Sequence, residues 1–226
     1  MCTHKRYITN KYTGKDVLVK CGHCPACIVE RADRYKRMID AHEKVGYSAA
    51  FITLTYSNEF CPYVYESDIN SYYDAYLDQF DVPVYRDKHI RLVKGKKVQK
   101  KKYDVSKCLG IGSYMPEEFP VDYKHRRMRG QSEDKITVLW YKDLQNFIKR
   151  LRINCFRDYG INYPLSYFAI GEYGPTTSRC HFHVLVWSKA GDYENIKNSA
   201  VKAWPFASDS RTRDNISQAV DCSRYL

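Results

Sequence analysis

Apolar residues recur at helical spacing from Pro25 to about Val45. Ile28, Ala32, Tyr35, Met38, Ile39 and His42 fall on one stripe; Glu30, Arg34, Arg37 and Asp40 face the other way. Pro25 suits a first helical turn, and Gly46 suits the position just past the end. The next segment, AAFITLTY (49–56), switches to the two-residue period of a strand. Ile52 and Leu54 lie on one face, and Phe51, Thr53 and Thr55 on the other. ITVLW (136–140) predicts a short strand. A second helical stripe, Leu144, Phe147, Ile148, Leu151 and Cys155, runs through YKDLQNFIKRLRINCFRDYG. Lys149, Arg150 and Arg152 point outward there, Asp143 lies near the start, and Gly160 lies beyond the end. LSYFAIGE (165–172) and HFHVLVW (181–187) read as two strands of an antiparallel hairpin, closed by a Gly/Pro/Thr/Ser-rich loop over 173–179. A further helix is predicted over Asp192–Trp204, stopped by Pro205. NISQAV (215–220) is a last strand, and DCSRYL begins another element. Residues 1–24 read as a loop or hairpin ending in CGHC.

The core order is helix, strand, insertion, helix, strand, strand, helix, strand. That order predicts an α+β fold: a central antiparallel sheet with helices packed on one face and a site on the other. The interruption, 57–135, reads as a large, partly ordered insertion after the first core strand. Its first part, 58–84, carries six acidic residues and no Lys or Arg; 86–107 carries ten Lys or Arg against two Asp. KHRRMRG follows at 124–130. The acidic and basic halves pair with each other or contact different things. The expected organisation is one domain over 1–226, cut short at its C-terminus, with a Cys-rich N-terminal segment (1–27) and the insertion at 57–135.

Composition narrows the class. Hydrophobic residues make up 44% of the 226, enough for a core, and the net charge of +11 calls for a polyanionic partner, nucleic acid or an anionic membrane surface. No uninterrupted apolar run approaches the ~18 residues that span a bilayer, and MCTHKRYITN has no apolar core of a signal peptide. A cytoplasm-like compartment is expected. There the nine cysteines are metal ligands or free thiols rather than a disulfide framework. The 21 tyrosines suit base stacking and phosphate contacts, but equally an ordinary core.

CHFHVLVW (180–187) raises the chemical question. On a strand, His181 and His183 share one face, and Phe182, Val184 and Val186 share the other. The pair reads either as two surface imidazoles or as two ligands of a divalent metal. Glu172, ending the preceding strand, lies where a hairpin would bring a third ligand. Two histidines and a carboxylate leave coordination positions open for a phosphate oxygen. Farther upstream, CGHCPAC places Cys21, Cys24 and Cys27 at two-residue gaps, and Cys2 is a fourth candidate. Four thiolates, or three with His23 or His4, would make a closed structural Zn²⁺ site. Reduced thiols and an iron–sulfur cluster are the other readings. Cys61, Cys108, Cys155, Cys180 and Cys222 show no pattern and read as free thiols.

FITLTY together with GEYGPTTSRCHFHVLVW resembles the HUH rolling-circle replication endonucleases. The opening Met-Cys, CGHCPAC running into a basic helix, and KDLQNFIKRLR are similar to the replication initiators of microviruses, the gokushovirus-type single-stranded DNA phages. The likeness covers nearly the whole chain and is weakest over 57–135. It implies a ferredoxin- or RRM-like sheet, with His181 and His183 as the paired metal ligands and Glu172 as the third. It implies Mg²⁺ or Mn²⁺ at the scissile phosphate, and a tyrosine that attacks phosphorus to leave a 5′-phosphotyrosine and a free 3′-OH. Tyr225 stands where the nucleophile's helix should begin; a tyrosine beyond residue 226 is the alternative. Single-stranded DNA at a replication origin is the implied substrate. A host helicase or polymerase is the implied partner, and the cytoplasm of a bacterial host cell the implied place. Thr53 and Thr55, with Phe51, would line the substrate groove on the histidine face. Lys149, Arg150 and Arg152 are either DNA contacts or a solvated helix face. KGKKVQKKK and KHRRMRG would track the backbone or be solvated loops. A non-catalytic, zinc-stapled DNA-binding protein and a transposase or relaxase of the same chemistry are the rival readings.

Overall fold

The structure is a computed structural model describing residues 2, 4–22, 24–45, 47–71, 73–74, 79–88, 92–93, 96–97, 108–114, 134–189, 191–207 and 216–218. The chain separates into two compact units. The first is built on Met1–Ser48 and the second on Ala49–Gln218.

In the first unit, β1 (Arg6–Thr9) and β2 (Asp16–Val19) form an antiparallel hairpin, Arg6 opposite Val19. The turn closes through Gly14 at φ +66°, a left-handed position that glycine adopts without strain. Helix α1 (Pro25–Lys44) follows with the bounds its periodicity predicts. Its expected stripe is buried only in part. Ile39 is buried, whereas Ile28 and Met38 are exposed. A unit of this size has little apolar material to cover a whole helix face.

The second unit begins within β3 (Tyr47–Thr55). It continues through a 3-10 turn (Asn58–Phe60), β4 (Tyr63–Tyr65), α2 (Glu66–Ser71), β5 (Tyr73–Asp74), β6 (Gln79–Val84), β7 (Leu92–Val93), β8 (Lys96–Lys97) and β9 (Gly110–Tyr114). Then come β10 (Lys135–Thr137), α3 (Tyr141–Tyr159), β11 (Ser166–Tyr173), β12 (Cys180–Lys189), α4 (Tyr193–Ala203) and β13 (Ile216–Gln218). The main sheet has the order β11-β12-β3-β13. Its pairing explains the alternation in the sequence. Ile52, Leu54, Phe182, Val184 and Val186 are buried in one cluster with Leu144, Phe147, Ile148, Leu151 and Cys155 of α3 and Ile196, Ala200 and Ala203 of α4. Helices α3 and α4 therefore cover one sheet face, as an α+β fold of this kind requires. Gly160 ends α3 in the left-handed conformation, its N–H bonding the Phe156 carbonyl at 3.0 Å.

ITVLW is a strand only over β10, and β10 does not join the main sheet. It pairs with β4, Ile136 opposite Val64. The insertion thus has its own small core, in which Val64, Ile69, Val82, Val84 and Tyr114 pack with Ile136 and Val138. A buried ion pair ties it to α3. Arg86 donates to Asp143 Oδ2, which also accepts from the Tyr56 hydroxyl at 2.9 Å, and the Arg86 guanidinium lies 4.3 Å from the Phe206 ring centre. Burial pushes the Asp143 carboxyl up, and Arg86 and Tyr56 oppose that rise. Asp143 does sit in the first turn of its helix, but its carboxylate serves this network.

Candidate metal centres

The hairpin of β11 and β12 sets the first site by register. Glu172 lies directly opposite His181, and Ile170 opposite His183. Opposed residues in an antiparallel pair point to the same face, so strand periodicity alone brings the carboxylate to both imidazoles. Phe182 and Val184, between and beyond the histidines, go to the core, and this fixes which face the histidines take. The closing loop is held by Gly174 N–H to Arg179 O at 3.0 Å. Thr137 Oγ1 donates to Ser178 O at 2.6 Å, which ties the loop to β10. Gly171 faces the core, where a Cβ would come within 2.8 Å of both Leu139 methyl carbons.

One oxygen, Glu172 Oε1, lies 2.9 Å from His181 Nε2 and 2.8 Å from His183 Nε2. The imidazoles are largely covered at 15% and 14% side-chain exposure, while the carboxylate is half exposed at 50%. Each ring is held from behind. His181 Nδ1 faces Arg179 O at 3.2 Å, and His183 Nδ1 faces Thr53 Oγ1 at 3.0 Å. Phe51 stacks on His183, with ring centres 5.2 Å apart. Burial works to raise the Glu172 carboxyl, but the bonds to His183 and His181 outweigh it and hold it below the usual carboxylate range.

The proton inventory of His181 is informative. A backbone carbonyl can only accept, so the Nδ1 facing Arg179 O carries the proton. In the neutral ring the Nε2 lone pair then points at a carboxylate oxygen. Two acceptors at 2.9 Å repel unless positive charge lies on or between them. Either a second ring proton or a cation shared by Glu172, His181 and His183 resolves the conflict. An Nδ1–H donated to a backbone carbonyl is also how metal-bound imidazoles are oriented. The three ligand atoms lie within 4.8 Å of one another, so the donor set fits a divalent ion.

Residues 130–226 match a family model for replication-associated proteins of the ORF2 class. That segment contains Glu172, His181, His183 and Tyr225. No curated protein and no solved structure matches the chain. No helix among the described residues is long and apolar enough to cross a membrane.

The other predicted site residues divide. Phe51 and Thr53 reach the histidine face. Thr55 follows in the same alternation, and its carbonyl accepts from Trp204 Nε1 at 2.6 Å. Lys149, Arg150 and Arg152 belong to α3, which packs on the other sheet face. Arg150 Nε donates to Ala203 O at 2.7 Å and Arg152 Nη2 to Leu165 O at 2.9 Å, so both guanidiniums bind the protein's own backbone. Tyr225, Cys222, His23, Gly46, KHRRMRG and most of KGKKVQKKK lie outside the described residues.

The second site gathers Cys2, Cys21, Cys24 and Cys27, whose sulfurs all lie within 4.8 Å of one another. Cys2 Sγ is 3.6 Å from Cys21 Sγ, which is 3.9 Å from Cys27 Sγ. A tetrahedron with zinc–sulfur bonds of about 2.3 Å sets its sulfurs roughly 3.8 Å apart. Backbone N–H groups point at the sulfurs, Cys21 N to Cys2 Sγ and Cys24 N to Cys21 Sγ, each at 3.4 Å. The bond from the Cys21 N–H lowers the Cys2 thiol below its ordinary value. Gly22 bends the chain between these ligands at φ +82°.

One arrangement escaped the sequence. Cys61 and Cys180 were unpatterned there, yet their buried sulfurs are 3.5 Å apart. Separated by 119 positions, they carry no local signal.

Proposed function

We propose that the chain is a replication initiator that nicks single-stranded DNA at an origin. The observation that carries this reading is the convergence of His181 and His183 on one oxygen of Glu172, with the lone-pair conflict that a shared cation relieves. The family match over the same segment supports it. Glu172, His181 and His183 would hold Mg²⁺ or Mn²⁺, which when bound polarises the scissile phosphate and offsets its developing negative charge. Arg179 O and Thr53 Oγ1 fix the ring orientations. Phe51 packs against His183 beside the groove. A tyrosine hydroxyl, with Tyr225 as the candidate, attacks phosphorus and gives up its proton. The bond to the 3′ oxygen breaks, and that oxygen leaves as a free 3′-OH after taking a proton. The 5′ phosphate stays on the tyrosine, so one phosphodiester is exchanged for another. The 3′-OH is then a primer for a host polymerase, opened ahead by a host helicase.

The test uses 3′-labelled single-stranded DNA from the parent genome on a denaturing gel. The expected result is a labelled protein adduct that requires Mn²⁺ and His181 and disappears in Tyr225→Phe. DNA binding with no adduct under any metal would make this a non-catalytic DNA-binding protein. Efficient joining of hairpin ends in place of origin nicking would make it a transposase or relaxase.

The thiol cluster is best read as structural Zn²⁺. The sulfur spacing supports this, and so does the scarcity of core. Among the described residues of Met1–Ser48, Cys2, Cys27 and Ile39 are the buried apolar ones. So small a unit needs a cross-link or metal to hold its fold. Elemental analysis should find about one zinc per chain, and cobalt replacing it should show strong thiolate-to-metal absorption that Cys24→Ser abolishes. Iron with acid-labile sulfide in an anaerobic preparation would instead establish a cluster.

A further inference from the structure

Beside the thiol cluster lies a cavity of about 240 Å³ that the proposed chemistry does not use. Its cationic lining is Lys20 from the end of the hairpin and Arg31, Arg34 and Arg37 from α1; Glu30 is its single carboxylate. Lys20 already pairs with Glu30, which leaves the three guanidiniums in excess. They recur every third residue, and on a helix this spreads them over about 9 Å of axis, the reach of roughly two or three successive phosphates. Arg31 Nη2 donates to Gly22 O at 2.6 Å, so the metal-binding turn itself fixes one wall. A Cβ at Gly22 would meet that same nitrogen at 3.2 Å. Residues 1–48 carry ten Lys or Arg against five Asp or Glu, and Tyr7 and Tyr12 of the same unit stand 72% and 99% exposed. Guanidiniums in a groove, with open aromatic faces nearby, are the features that track a single strand: charge for the backbone and rings for the bases.

We propose that this groove binds the sugar–phosphate backbone of the same single-stranded DNA that the Glu172 centre is proposed to cleave, making the Cys-rich unit a second anchor for the strand. The proposal rests on the nicking reading for the identity of its ligand. Its test is a binding measurement that does not require cleavage.

The zinc-loaded full chain carrying His181→Ala is titrated into labelled single-stranded DNA, and anisotropy is followed across salt concentrations. Arg34→Ala with Arg37→Ala should weaken binding roughly tenfold at low salt and flatten the slope of log K against log salt by about 1.4, the value for two single-strand phosphate contacts. Arg34→Lys with Arg37→Lys should restore most of the slope, because a phosphate also accepts a point charge. Lys36→Ala with Lys44→Ala removes the same charge from α1 outside the groove and should change little. Zinc content shows that each variant has kept its fold. Equal loss in the two alanine pairs would mean diffuse attraction and would overturn the groove. Unchanged affinity and slope in Arg34→Ala/Arg37→Ala with full zinc content would do so as well. Tighter binding to anionic vesicles than to DNA, lost in that variant, would assign the groove to a membrane surface and also refute the proposal. If no adduct forms in the nicking assay while the arginine pair still sets the salt slope, the nicking reading fails and the groove stands.

Discussion

A methyl group at Gly171 is the smallest change that the Glu172 site should feel. It would meet Leu139 at 2.8 Å and Phe182 at 3.2 Å in the core. Overpacking of this kind costs about 1–3 kcal/mol, so urea melts of Gly171→Ala should show that loss. Function at the same scale is tested by Glu172→Gln, which keeps the shape and removes the charge. Manganese binding followed by electron paramagnetic resonance should weaken at least about tenfold, since one of three ligands loses its anionic oxygen. An unchanged affinity would remove Glu172 from the centre. The ligand trio was legible in the sequence because strand periodicity and a short loop suffice to place it. The supports were less so. Phe51 and Thr53 were expected on this face from alternation, but Arg179 O, a backbone atom, carries no residue-type signal.

At the scale of elements, α3 and α4 were readable from spacing, capping and Pro205, whereas their fastenings were not. Asp158, at the end of α3, accepts from Arg157 Nε at 2.7 Å and from Lys202 Nζ of α4 at 2.9 Å. Arg157 first, then Lys202, bring its carboxyl down to about 2 from an ordinary 3.8. A lowered carboxylate stabilises the fold above its unfolded value and loses that contribution as pH falls through the folded one. Melting temperatures of wild type and Asp158→Asn should therefore differ near pH 6 and converge as pH falls from about 4 to 2. Curves that stay parallel throughout would show that these bonds do not act in solution. β10 teaches a different lesson. Its apolar run was evident, but pairing partners belong to the whole sheet. Val64 lies 72 positions earlier than Ile136, beyond any local window.

For the molecule as a whole, two units with different means of support imply different responses to the same reagent. Stripping metal with a chelator should speed amide exchange across the described part of Met1–Ser48 and leave the protected core strands β3 and β12 as slow as before. Exchange rising together in both units would show that metal supports the entire chain. Composition pointed to a basic, nucleic-acid-directed protein, and the Cys spacing to a metal. Neither could reveal that the cysteines, a hairpin and a helix make a separate compact unit. Nor could the charge counts of 57–135 reveal that its apolar residues close a second core on β10. The Arg86–Asp143 pair joins that core to α3, and both partners are buried. Breaking such a pair costs about 3–5 kcal/mol because one charge is left without a partner, and Arg86→Ala should lower stability by that order in a denaturant titration.

That pair also limits how the protein can be trimmed. A shortened enzyme that discards the variable-looking middle of the chain would discard Arg86 with it and strand an acid inside the helix layer beneath the sheet. Anyone building such a minimal version would have to replace Asp143 by an apolar side chain in the same step, and Tyr56 by phenylalanine, before the remainder could be expected to fold.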